Sequence, residues 1–295
     1  MRVLLIYYTG TYNTRYLTNQ LKERLVEKGD VVDTVEINVN TPIVDTNSYD
    51  MIGFSYPIYG FNSPLPFNKY VKKLKFNENQ KYFIYKNSGE TLAMNNASSR
   101  ILIRIMKKQK VKFVGEYHFV MPYNIHFPFE KEFVKQILIY NKKLMAVMLY
   151  NLENDIIFKI KSNPVYNFAA FFVGIQKIGG NVNSFLYKVD QNKCINCNKC
   201  VRECPHDNIY IKNGKVKFHH HCDMCMRCSF FCSTNAIHIG FLENWKVNGA
   251  YKFDEILKDE SIDSNYITNS SNGFYKCFIK TFKFIDEEYK KIINK

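Results

Sequence analysis

Eight of the nine cysteines fall into two copies of one spacing. The first is Cys194, Cys197, Cys200 and Cys204, a C-x-x-C-x-x-C-x-x-x-C run followed by Pro205; the second is Cys222, Cys225, Cys228 and Cys232, followed by Ser233. The offset between the copies, 28 positions from Cys194 to Cys222, continues outside the cysteines and sets Ile209 against Ile237 and Ile211 against Ile239. The segment is an internal repeat. Structural zinc usually takes its ligands as two separated pairs, and a disulfide framework suits a short exported chain. Neither explains a third and fourth cysteine in register in each copy, whereas two cubane 4Fe–4S clusters use eight thiolates in such runs.

The spacing resembles that of bacterial two-cluster ferredoxins. The resemblance implies that three thiolates from one tight loop hold one cluster, while the fourth, carried past the loop on a short helix, ligates the neighbouring cluster. Cys194, Cys197, Cys200 and Cys232 would then share one cluster, and Cys222, Cys225, Cys228 and Cys204 the other. The repeated isoleucines would lie over the clusters and keep water from them.

At 295 residues, 46% of them hydrophobic, the chain exceeds one typical domain and has the means to build a core. The apolar start, Met1 to Tyr8, is too brief for an export signal. The run from Phe168 to Ile175 stops at Gln176 and Lys177, short of the roughly 20 residues of a membrane span. A cytoplasmic protein of a reducing cell, without a membrane span, is the expectation. The formal net charge is +14, which two clusters and a flavin phosphate would bring to about +8. Lys and Arg are scattered rather than gathered into a stripe with interleaved aromatics, which argues against nucleic acid. The surplus reads first as a compositional bias and second as a means of docking acidic redox partner proteins.

Val3 to Tyr8 reads as a buried strand running into Thr9-Gly10-Thr11-Tyr12-Asn13-Thr14, ahead of a helical pattern through Leu17, Leu21 and Leu25. Unpaired N–H groups at the helix start would cradle a phosphate monoester, helped by the hydroxyls of Thr9, Thr11 and Thr14 and the amide of Asn13. The loop lacks the Gly-Lys-Ser/Thr ending of triphosphate-binding loops. Further strands are expected over Val31 to Ile37, Met51 to Tyr56, Tyr82 to Tyr85 and Phe113 to Val120, with helices near Pro66 to Lys75, Asn95 to Lys108 and Glu130 to Ile160. This alternation predicts an α/β fold, a doubly wound five-stranded parallel sheet whose ligands gather at the carboxyl ends of its strands. There, Tyr56-Pro57-Ile58-Tyr59-Gly60-Phe61 and Asn87-Ser88-Gly89-Glu90 suit a flat ring with apolar faces and a polar edge. Tyr56, Tyr59 and Phe61 would wall it, and Asn87 to Gly89 would meet its edge with backbone groups. Met121-Pro122-Tyr123-Asn124 would close the same end of the sheet.

With the phosphate loop, the Tyr56 to Gly60 loop and the double cysteine run together, the chain resembles the flavodoxin–ferredoxin fusion proteins of anaerobic bacteria and archaea. The resemblance implies a flavodoxin-like FMN-binding domain over 1–162, a helical linker over 163–184, a small α+β domain with two 4Fe–4S clusters over 185–240 and a C-terminal tail over 241–295. It also implies FMN on the loops named above and electron transfer between flavin and clusters, with no defined substrate. Tyr12 stands where that family's phosphate loop usually has glycine, so a side chain there would crowd the phosphate or alter the backbone. Two alternatives stay open. One is a flavin-dependent reductase of a small acceptor, fed by the clusters, although no catalytic acid or base and no dinucleotide fingerprint stands out. The other is a ferredoxin whose flavodoxin-like domain no longer holds flavin.

In the linker, Gly179-Gly180 reads as the flexible point and Phe168 to Phe172 as a buried helix face joining the halves. His219 to His221 do not read as a metal site, because adjacent histidines cannot easily share one coordination sphere. Cys277 reads as a buried hydrophobe. The tail from Asp254, ending in the basic stretch Phe282 to Lys295, reads as a solvated face.

Overall fold

The apolar run at the start of the chain forms β1 (Arg2–Tyr7), which pairs in parallel with β2 (Val31–Glu36) on one side and β3 (Met51–Ser55) on the other. β4 (Lys81–Ser88) and β5 (Lys112–Val120) complete a parallel sheet of order β2-β1-β3-β4-β5. The computed structural model describes residues 1–78, 80–173, 180 and 182–294. Successive strand residues face opposite sides, so β1 feeds two cores. Val3 and Leu5 pack with Leu17, Leu21 and Leu25 of α1 (Asn13–Glu27). Leu4 and Ile6 pack with Phe67 of α2 (Leu65–Val71) and with Leu102 and Met106 of α3 (Arg100–Lys108).

The expected elements are present with changes of extent, and β4 runs over Lys81–Ser88 rather than Tyr82 to Tyr85. The third helical stretch opens as a 3-10 helix, Ala93–Ser99. α2 ends at Val71, before the expected Lys75. α4 (Lys131–Glu153) ends well before Ile160, because Asp155 turns left-handed (φ 52°) and sends the chain back to β5, where the Glu116 N–H donates to the Phe158 carbonyl at 2.8 Å.

Two expectations about the flanking segments are overturned. α5 (Pro164–Val173) does not bury its aromatic face: Phe168, Phe171 and Phe172 are more than half exposed, and among its residues only Ala170 is buried. Its anchor is polar, the Asn62 amide donating to the Ala170 carbonyl at 2.8 Å. The rest of that apolar run and Gly179 of the glycine pair lie outside the described residues. The C-terminal segment, in turn, is no solvated tail. Its last helix (Lys276–Ile293) lays Phe278, Phe282 and Ile285 against the sheet half, and Phe282 stacks on Tyr140 of α4 at 4.0 Å. One charge of that helix is tied to the sheet half, Asp286 taking Lys143 at 2.5 Å, while Lys276, Lys280, Lys283 and Lys290 face solvent. Lys295, the end of the basic stretch, lies outside the described residues.

The cysteine-rich segment repeats in structure as it does in sequence. β6 (Tyr187–Val189), a four-residue helix α6 (Lys199–Arg202) and β7 (Ile209–Lys212) correspond to β8 (Lys215–Phe218), α7 (Arg227–Phe230) and β9 (Ile237–Ile239). The copies interlock: β6 pairs antiparallel with β9, and β7 with β8. Even the left-handed residues recur, Asn196 with Met224, Asn198 with Met226 and Asp207 with Asn235. Ile209, Ile237 and Ile239 are buried as expected of a dry cover, but Ile211 is half exposed because the β7–β8 hairpin meets solvent.

Inside the sheet half, Lys86 and Glu116 form an ion pair of 2.8 Å at 0% and 1% exposure, and Lys86 also donates to the Asn95 carbonyl and Ser99 Oγ. Burial pulls the Lys86 ammonium below the usual lysine range, against the opposing pull of Glu116. Lys86→Met strands a buried carboxylate and should cost about 3–5 kcal/mol. A lowered denaturant midpoint in Lys86→Met, largely recovered in the double variant with Glu116→Leu, is the expected result.

Candidate functional site

Parallel sheets gather ligands at the carboxyl ends of their strands, where the strand order reverses. At that end, beside β1 and β3, lies a cavity of about 530 Å³, within the roughly 300–1,000 Å³ usual for cofactor pockets. Thr9, Gly10, Thr11, Asn13 and Thr14 line it from the loop after β1; Pro57, Ile58, Tyr59, Gly60 and Phe61 from the loop after β3; and Asn87, Ser88 and Gly89 from the loop after β4. Met121 to Asn124 close it after β5. Two residues expected there are elsewhere. Tyr56 is fully buried in the second core, packed on Phe67 with its hydroxyl donating to Ser99. Tyr12 is not among the residues that line the cavity.

The loop after β1 has the donor set of an anion cradle. No backbone N–H of Gly10, Thr11, Asn13 or Thr14 has an acceptor among the described residues, and a helix start leaves such groups ready for an anion. Thr9 Oγ1 is buried without a partner. Thr14 Oγ1 accepts from the Asn87 amide at 2.8 Å and Thr11 Oγ1 from the Asn124 amide at 3.1 Å. Each hydroxyl therefore keeps its proton to donate. Tyr59 Oη is a further buried hydroxyl with no partner. These orphaned donors fit the phosphate monoester of FMN.

Tyr12 is left-handed (φ 69°), a conformation that costs a residue other than glycine roughly 1–2 kcal/mol. Its contacts offset that cost. The ring lies under the Arg15 guanidinium at 3.8 Å and the Arg227 guanidinium at 4.9 Å, and it packs on Phe231 at 4.7 Å. Its hydroxyl donates to Glu203 at 2.8 Å. Rather than crowding a phosphate, Tyr12 docks the cysteine-rich unit onto the loop. Other ties are the Val39 N–H to the Pro205 carbonyl at 3.0 Å, and Tyr8 Oη within 2.8 Å of His206 Nε2.

Two cavities lie among the eight cysteines. A space of about 290 Å³ is bordered by Cys194, Cys197, Cys200, Cys228 and Cys232, with Ile237 among its apolar walls. A tighter one, about 20 Å³, is bordered by Cys204, Cys222, Cys225 and Cys228. Among the described residues no three His, Cys, Asp or Glu converge to hold a single metal ion. Burial and the neighbouring thiols push Cys222 up to about 12 and Cys200 up to about 11; Cys225 also rises, to about 11, through burial, although Arg227 opposes it. Crowded sulfurs of this kind are what a multi-iron cation would deprotonate and hold. Backbone N–H groups already point at three of them: Asn208 at Cys204, Ala236 at Cys232 and Met224 at Cys222, at 3.2–3.3 Å. Cys277, half-buried and remote from both quartets, donates to the Phe274 carbonyl. His219 and His220 are taken up by stacking on Tyr210 and Phe185.

Part of the large cavity lay outside the reach of sequence reasoning. Asp223, Met224 and Met226, from between the ligand positions of the second cysteine run, form its far wall, and Phe241 and Trp245 stand at its rim. The repeat held a signal for the two methionines. They replace Asn196 and Asn198 at left-handed positions that favour asparagine, which marks the second copy as the one facing an apolar partner. Glu90 also lines the cavity and accepts from the Tyr123 hydroxyl; the sequence placed both residues in loops at this end of the sheet but did not show that they pair.

A family profile described as "4Fe-4S binding domain" matches residues 187–210, which hold the first cysteine run. With the 2-1-3-4-5 strand order of flavodoxins in the first half, the architecture is decided. The chain joins a flavodoxin-like sheet to a ferredoxin domain. An uncharacterized ferredoxin of Methanocaldococcus jannaschii is 40% identical over 55 residues, which is 18% of this chain and 37% of that protein, so the match spans just over a third of the relative's length. Among solved structures, a short-chain flavodoxin associated with a non-canonical PDU bacterial microcompartment covers 53% of this chain and 99% of its own at 14% identity and a TM-score of 0.39. A flavodoxin from the domain Archaea covers 52% and 99% at 11% identity and a TM-score of 0.36. Among the described residues no helix is long and apolar enough to cross a membrane.

Gly10 shows how closely the ferredoxin domain and the flavodoxin-like loop approach. A methyl group there would stand 2.7 Å from the Cys225 carbonyl oxygen and nearer still to Tyr59 Oη. Gly10→Ala should therefore destabilise the chain by about 1–3 kcal/mol, read as a lower denaturant midpoint under anaerobic conditions. An unchanged midpoint would show that the two halves are not in contact at this loop.

Proposed function

We propose that the chain is an electron carrier in which two 4Fe–4S clusters lead from the protein surface to an FMN in the large cavity. One observation carries the reading: the Met224 to Met226 segment lies between ligands of one cysteine quartet and is also a wall of the cavity. The same quartet's Cys225 carbonyl abuts Gly10 of the phosphate loop. Cys204, Cys222, Cys225 and Cys228 would hold the near cluster, and Cys194, Cys197, Cys200 and Cys232 the far one.

Each set of residues has a task that follows from its chemistry. Thr9, Gly10, Thr11, Asn13 and Thr14 would bind the phosphate through N–H and hydroxyl donors. Pro57, Ile58, Tyr59, Gly60 and Phe61 would wall the ring, with Asn87, Ser88 and Gly89 at its edge. Met224 and Met226 exclude water between the ring and the near thiolates, which keeps the intervening medium of low polarity. FMN, when bound, supplies a centre that takes up two electrons while the clusters move them singly. Housing both in one chain removes a diffusional encounter from each transfer.

Anaerobic preparation should yield about eight iron and about eight sulfide per chain with one extractable FMN. Zinc in their place, or iron without flavin, would reduce the reading to a metal-binding or ferredoxin-only protein.

The far quartet is where a redox partner protein would dock. Cys197 is exposed, Ile195 is 64% exposed, and Lys199 and Arg202 flank the space between the thiols. A partner with an acidic face fits that rim. Replacing Lys199 and Arg202 by glutamate should slow reduction by an acidic ferredoxin about tenfold at low salt and flatten its salt dependence. Reduction by dithionite should be unaffected.

A second reading rests on the Glu90–Tyr123 pair in the cavity wall, which could supply a proton to a small organic acceptor beside the flavin. Turnover of a quinone or nitro compound that is lost in Glu90→Gln, with flavin still bound, would favour it.

A further inference from the structure

We infer that Arg227 makes FMN binding and cluster loading interdependent: the loaded ferredoxin domain sets the phosphate loop in its binding form, and FMN in return favours the loaded domain. The inference rests on the flavin and cluster assignments proposed above. Arg227 directly precedes Cys228 and is 7% exposed. Its Nη2 donates to the Thr9 carbonyl at 2.6 Å, its Nε to the Gly10 carbonyl at 2.7 Å, and its Nη1 to the carbonyl of Glu203, beside Cys204, at 3.1 Å. One guanidinium thus joins the phosphate loop to both cysteine runs.

The orientation of the loop follows from that clasp. In a planar trans peptide, carbonyl and N–H point in opposite directions. With the Thr9 and Gly10 carbonyls turned to Arg227, the N–H groups of Gly10 and Thr11 are turned away from it, and they have no acceptor among the described residues. Tyr12 adds a second tie, held left-handed with its hydroxyl on Glu203.

What fixes Arg227 is the ligand loop around it. α7 has four residues, too few to persist on its own, and Met224 and Met226 on its approach are both left-handed without being glycine. Cys222, Cys225 and Cys228 would hold iron, and those bonds would fix such a segment in place. Removing the clusters frees the loop, the loop frees Arg227, and the Thr9 and Gly10 peptides lose the partner that orients them. Linkage makes the effect reciprocal. Arg227 acts here as a positioning residue for the phosphate donors.

The test is an anaerobic FMN titration, read by quenching of flavin fluorescence, on the cluster-loaded chain, on the same chain stripped of iron by a chelator, and on cluster-loaded Arg227→Gln and Arg227→Lys. Iron and sulfide content verifies loading. Stripped protein and Arg227→Gln should bind FMN about 10- to 100-fold more weakly, as expected when the binding-competent loop becomes a minor state. Arg227→Lys should recover only part, since an ammonium lacks the fork that serves two carbonyls. Hydrogen exchange at the Gly10 and Thr11 amides should quicken in Arg227→Gln while Val3 to Ile6 stay protected. Equal affinity in loaded wild type and loaded Arg227→Gln overturns the link alone. Absence of FMN binding in every preparation overturns both the link and the flavin assignment.

Discussion

A buried guanidinium is the central tie between the two halves of this chain. Arg227 reaches from the ferredoxin domain to two carbonyls of the loop after β1, and its charge is balanced by Glu36, 3.4 Å away and itself held by Arg15. Hydrogen bonds to a charged donor are among the stronger ones available, and leaving such carbonyls unpaired in a buried seam would be costly. The seam is polar where it orients backbone groups and aromatic where Tyr12 and Phe231 fill space. Those two kinds of contact, at one loop, set the position of the cavity relative to the nearer thiols.

Duplication within the ferredoxin domain makes its two cysteine runs alike in backbone, yet the surroundings make them unequal. One run presents Cys197 to solvent beneath a cationic rim; the other buries Cys225 against the flavodoxin-like half. The difference is written into the loops between ligands, asparagine at the solvent side and methionine at the seam. The proposed electron carrier would need an accessible end and a sheltered end, and the repeat has one run of each kind. The last helix plays a separate part, extending the sheet's covering layer with Phe278 and Phe282.

Much of this was legible in the residues themselves. The alternation of apolar runs and helical patterns located all five strands, and the Thr-rich loop after β1 fell where the sheet gathers ligands. The cysteine arithmetic picked out the eight thiols that border the two cavities of the repeat. The failures share a cause. Tyr56, Tyr12, α5 and the C-terminal helix were all misassigned because their surroundings are set by contacts distant in sequence. An aromatic residue after a strand serves a core or a cofactor equally well, and only Phe67 and Ser99 decide for Tyr56. The mixed charges of the last helix read as a solvated face, whereas Asp286 is held by Lys143 and Tyr140 of α4. Arg227 carried no sequence signal at all, since a basic residue inside a cysteine run is unremarkable until its carbonyl partners are seen.

On the proposed function, electrons pass between the ferredoxin domain and the flavodoxin-like cavity within one chain. Anaerobic rapid mixing of the cofactor-loaded protein with a one-electron protein donor, following cluster and flavin absorbance in the same sample, tests it most directly. Cluster bleaching should come first, and flavin bleaching should follow with a rate that does not depend on the concentration of the chain. Flavin that remains oxidised beside reduced clusters, or that reduces in proportion to chain concentration, would contradict the account.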